Sequence, residues 1–158
     1  MYQKTLTGCL VVGMLLSSGS FSIAEKMPSA DSNALWKYIF EVHPYQQWSF
    51  WPDHQGMQEG RAPHGEQHRV FVNKVGLDSM TAPAQYGTIQ VKENYNSEGL
   101  KAITVMYKIK NYNPESGDWF WAKYTPEGVP LLAGKLEKCI GCHATKAEND
   151  FIVVHDFK

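Results

Sequence analysis

Residues 139–143 read Cys-Ile-Gly-Cys-His. This is the attachment signature of c-type haem. Two thiols three residues apart can add to the two vinyl groups of a porphyrin, and the histidine that follows is then placed to ligate the iron. The spacing predicts one covalently held haem c, with Cys139 and Cys142 as its thioether anchors and His143 as the proximal iron ligand. Other chemistries use part of the same pattern. A disulfide needs only the two cysteines. A thioredoxin-like redox site needs a βαβ setting, whereas strands of antiparallel character precede this motif. A zinc site would join Cys139 and Cys142 to His64 and His68, which lie at suitable local spacing. It would leave His143 without a role and place zinc thiolates in an oxidising compartment.

That compartment follows from the first 24 residues. Lys4 supplies a short positive region, Leu10–Leu16 an apolar run, and Ser22-Ile23-Ala24 a small-x-small cleavage site. Residues 1–24 are expected to be a signal peptide cleaved after Ala24, which makes the protein periplasmic. The apolar run is short for a membrane span of roughly 20 residues. A lipoprotein reading of Leu6-Thr7-Gly8-Cys9 fails because the apolar run follows the cysteine. Residues 25–158 then form one domain. Of the three cysteines in the chain, Cys139 and Cys142 remain, and in an exported protein they are expected to be bonded or ligated. The formal net charge is −1 at pH 7, so no basic surface exists to attract nucleic acid.

The elements that must position the motif are mostly strands. Residues 68–73, 87–94, 102–109 and 118–124 are rich in β-branched and aromatic side chains with turn residues between them. Before them, Asp31 or Ser32 caps a helix carrying Leu35, Trp36, Ile39 and Phe40, which stops at Pro44. Residues 51–67 read as a long loop, compact enough to be functional. The expected fold is α+β and mostly β: an antiparallel sheet, a preceding helix and a C-terminal haem-attachment helix. Alternation puts Thr88, Gln90 and Lys92 on one face of their strand, with Ile89, Val91 and Glu93 on the other. Thr104 shares a face with Ala102, Met106 and Lys108. An electron carrier would need a second axial ligand. Met57, Met80, Met106, His43, His54, His64, His68 and His155 are the candidates, and no spacing selects among them.

The segments "YGTIQVKENY", "ITVMYKIKNYNPESGDWFWAKYTPEG" and "AGKLEKCIGCHATKAENDFIVVHDF", with the "HRVFVN" strand before them, resemble cytochrome P-460 and its relative cytochrome c′-beta. The resemblance spans roughly residues 35–157. It implies a dimeric β-sheet cytochrome whose iron has an open distal position that meets nitrogen oxides or hydroxylamine. Cys139, Cys142 and His143 match the haem attachment residues. Lys92 matches a lysine that cytochrome P-460 bonds to the porphyrin edge. Thr104 falls where hydroxylamine-oxidising members carry a distal glutamate, and a hydroxyl is a far poorer base than a carboxylate. Phe71 and Met106 are candidates for an apolar wall of the ligand pocket, with ordinary core packing the favoured role for both. The implied function is binding of nitric oxide at the open site, with a redox partner cytochrome and a homodimeric assembly. The alternatives are a hydroxylamine oxidoreductase with a Lys92–haem cross-link, in which Lys92 and Thr104 would be the catalytic positions, and a six-coordinate electron carrier.

Overall fold

A computed structural model describes residues 26–158; the expected leader and its cleavage site lie outside the described residues. The first helix, α1 (Ser32–Lys37), starts where Asp31 accepts hydrogen bonds from the backbone N–H groups of Asn33 at 3.0 Å and Ala34 at 2.9 Å. Those bonds satisfy donors that a helix N-terminus leaves unpaired. The helix continues as a π-helical turn over Tyr38–Val42 and stops before Pro44. Leu35 and Ile39, one turn apart, are fully buried.

Seven strands follow among the described residues: β1 (Ser49–Phe50), β2 (Gln58–Glu59), β3 (Gln67–Val72), β4 (Ile89–Asn96), β5 (Gly99–Lys108), β6 (Trp119–Tyr124) and β7 (Pro130–Gly134). All pairings are antiparallel, in the order β1-β3-β4-β5-β6-β7, with β2 also on β3. A short α2 (Lys74–Leu77) joins β3 to β4, and α3 (Glu137–His143) carries the cysteine motif. The fold is therefore α+β and mostly β. The four predicted strands lie within a few residues of their expected positions, whereas β1, β2 and β7 fall outside them.

The two faces of the sheet do different things. One packs Phe71, Val91, Ile103, Val105 and Phe120 against Leu35 and Ile39 of the N-terminal helix. Trp36 leans onto Gly128, which has φ +88, and any Cβ there would collide with the indole ring. The other face packs Val70, Val72, Met106, Trp119 and Trp121 against Leu136, Cys139 and Ile140 of the α3 region and against Phe151 and Ile152 beyond it. The cysteine motif thus rests on the second face, and α1 closes the first.

A histidine, a lysine and a threonine on one sheet face

Register fixes what shares the second face. Lys92 stands opposite Val70 on one side and Thr104 on the other, and Thr104 stands opposite Lys123. Asn94 pairs with His68 and Ala102, and Met106 with Trp121. Lys92 and Thr104 therefore meet as the alternation predicted. Glu93 points the opposite way, where Tyr45, Arg69 and Tyr95 bind its carboxylate. Phe71 takes the core role rather than the pocket one: it lies on the same face as Glu93, packed against Tyr45 and Phe50, and does not line a pocket with Lys92. The reason is register, since Val70 is the residue set across from Lys92. Met106 is on the Lys92 face, but Gln90 donates to its sulfur at 2.7 Å and only 5% of it is exposed.

α3 brings Cys139, Cys142 and His143 to this face with both thiols free. His143 Nδ1 lies 2.8 Å from the backbone carbonyl oxygen of Phe151. A carbonyl only accepts, so Nδ1 carries the proton and Nε2 presents its lone pair. Burial first, then the positive charge of Lys92, pulls the His143 imidazole down, partly offset by the Phe151 carbonyl. The result is a neutral, oriented imidazole of the kind a metal takes. Trp121 packs on its ring at 4.7 Å.

The Phe151 carbonyl is itself held. Asp150 and Phe151 have φ of +55° and +63°, a left-handed conformation unfavourable for residues with a Cβ. Trp119 donates to the Asp150 carbonyl at 2.8 Å, and the Asp150 carboxylate accepts from Ala84 N at 2.9 Å and Lys108 Nζ at 2.7 Å. Lys108 also donates to the Gly117 carbonyl at 2.7 Å. Both ionic side chains are 4% exposed. The only trace of this clamp in the sequence is Asp150, a residue type that tolerates left-handed backbone.

Burial pushes the Lys92 ammonium down to about 8. No carboxylate or other acceptor holds its side chain among the described residues. Around it stand three histidines. His64 and His68 are each pushed down to about 4, by burial first and then by the Lys92 charge. His54 and His68 face each other through Nε2 at 2.8 Å. Asn94 donates to the Thr104 hydroxyl at 3.2 Å and to the Ala102 carbonyl at 3.1 Å.

The face suits a large, partly polar guest. Among the described residues four buried side-chain polar atoms have no partner, and three of them, His68 Nδ1, Asn94 Oδ1 and Trp121 Nε1, sit here. Native interiors leave few such groups, so an occupant is expected to satisfy some of them. Two free thiols and one oriented imidazole fit a haem attached through Cys139 and Cys142 and ligated by His143. The zinc alternative does not assemble, because no group of three or more His, Cys, Asp or Glu side chains converges among the described residues.

A family model described as Cytochrome P460 matches residues 42–154, most of the chain. No curated protein matches the sequence.

Proposed function

The chain belongs to the cytochrome P460 family, whose members bind haem, and from that premise we propose that it is an exported single-haem c-type cytochrome that binds nitric oxide. Cys139 and Cys142 hold the haem covalently, and His143 is the proximal ligand. With the haem held by these three residues, its iron would supply a site for small nitrogen ligands. The observation that carries this reading is the pairing of Lys92 with Thr104. Where a proton-abstracting carboxylate would serve hydroxylamine chemistry, the chain offers a hydroxyl already bonded to Asn94. The nearest acid in sequence, Glu93, is committed to the opposite face. Nitric oxide binds without releasing a proton, so such a site suits it. The protein works in the periplasm as a homodimer, exchanging electrons with a partner cytochrome.

Titration of the ferrous protein with nitric oxide tests this. A stoichiometric change in the optical spectrum is expected, with no turnover of hydroxylamine when an electron acceptor is present. An unchanged spectrum would overturn the reading.

A second reading has its own support in the Lys92 amine, which is half-buried, lacks an anionic partner and has a lowered pKa. A neutral amine is the nucleophilic form. Joining it to a porphyrin carbon removes one hydrogen from each and two electrons, which an oxidant such as a peroxide takes up. Intact mass then falls by two hydrogens relative to the thioether-only protein, and Lys92→Met abolishes the difference. A peroxide-treated protein whose mass still equals that of the thioether-only protein would remove this reading.

A further inference from the structure

His64 is the one candidate axial group that the structure sets beside His143. The two ring centroids are 6.4 Å apart, with their planes at 86°. An imidazole nitrogen binds a first-row metal at about 2 Å. With each centroid about 1 Å behind its nitrogen, two imidazoles on opposite sides of one ion place their centroids about 6 Å apart. The observed separation matches that span, and the crossed planes are compatible with a shared axis.

The other candidates are placed elsewhere, His43 against Tyr38 of the N-terminal helical segment. His54 and His68 bind each other, His155 is held by Asp53 at 2.6 Å and stacks on Trp51, and the Met106 sulfur accepts from Gln90. Met57 and Met80 are exposed.

His64 is also fixed in place. It sits in the connection between β2 and β3, where Gly60 N donates to the Glu66 carbonyl at 2.7 Å and Glu66 N to the Tyr95 carbonyl at 2.8 Å. Gly65, at φ +86, lies so close to the Tyr95 carbonyl oxygen that a Cβ would collide with it. The Asn94 side chain lies near enough to act on the His64 ring, and its Oδ1 is buried with no hydrogen bond made. It can accept from one ring N–H, which would leave the other nitrogen free, as the Phe151 carbonyl does for His143.

We propose that His64 occupies the sixth coordination position of the haem iron in the resting protein, so that nitric oxide binds by displacing it. This rests on His143 being the proximal ligand and on the opposite position being the one where ligand binds. Displacement makes the apparent affinity depend on the fraction of iron that His64 has released.

Ferric electron paramagnetic resonance spectra and nitric oxide association rates of the holoprotein, H64A, H64F and H68A test the proposal. The wild type is expected to be low-spin. H64A and H64F become high-spin, added imidazole returns H64A to low-spin, and H68A stays low-spin. Nitric oxide association is about tenfold faster in H64A if His64 holds the iron in nine of ten molecules. A high-spin wild type, or a low-spin signal that survives both His64 replacements, would overturn the assignment. The wild-type spectrum and the two variants are independent, so a variant that fails to fold does not shield the proposal. If neither the wild type nor H64A binds nitric oxide, the ligand reading fails, while the spin states still decide the role of His64.

Discussion

At the scale of single residues, the proximal side depends on a charge pair far from solvent. Burying Lys108 and Asp150 together removes two ions from water, and the loss is offset only because each has further partners. Removing one partner leaves the other ion stranded. Lys108→Met is expected to lower unfolding stability by about 3–5 kcal/mol, measured as a shift of the urea midpoint at unchanged slope. Adding Asp150→Leu is expected to recover part of that loss, because no lone charge then remains. Lys92 acts through pH. In the unfolded chain its pKa is 10.5 and in the native apoprotein about 8, so between these values the unfolded state holds a proton that the native state does not. Stability therefore rises with pH from about 8, until unfolded tyrosines ionise near 10.0. Above that the trend reverses, since burial raises Tyr45, Tyr107 and Tyr124. Urea midpoints of the apoprotein at pH 7.5 to 9.5 read this as a rise that Lys92→Met flattens; an equal rise in the variant would contradict it. The haem-attachment residues could be read from spacing alone, because two thiols and an imidazole in that order serve one chemistry. The Phe151 carbonyl could not, since a backbone acceptor leaves no mark in the side-chain sequence.

At the scale of elements, strands β3 to β6 were legible because β-branched and aromatic residues suit a pleated, half-buried surface. The helix α1 was legible from Asp31 and the Leu35–Ile39 spacing. β1 and β2 span two residues each, too few for any period to register. β7 begins with Pro130 and is mostly exposed, so it lacks the alternation that marks a half-buried strand. The choice between core and pocket at Phe71 was open for a different reason. Alternation within one strand says which residues share its face, but only the register between strands says which of those faces meets Lys92. The turn carrying His64 was likewise invisible, because its position depends on Gly65 lying against Tyr95. Gly65→Ala is expected to cost about 1–3 kcal/mol through steric collision and left-handed backbone strain. The same change should release His64, read as growth of a high-spin signal in the ferric spectrum. An unaltered melting temperature and spectrum would count against a rigid turn.

At the scale of the whole molecule, one sheet serves two purposes. The face toward α1 is an aromatic and aliphatic core whose buried acid, Glu93, is satisfied by Arg69 and two tyrosines. The opposite face carries the cysteine motif, Lys92, Thr104, three histidines with lowered pKa and three unpartnered polar atoms. That asymmetry makes the second face a place for a prosthetic group, which we propose is one haem bonded to Cys139 and Cys142. Intact mass of the denatured holoprotein tests that most directly. The expected mass is the polypeptide plus one haem, reduced to the bare polypeptide when both cysteines are replaced by serine and Lys92 by methionine. A wild-type mass without haem, or haem retained after denaturation when Lys92 is replaced together with both cysteines, would contradict it.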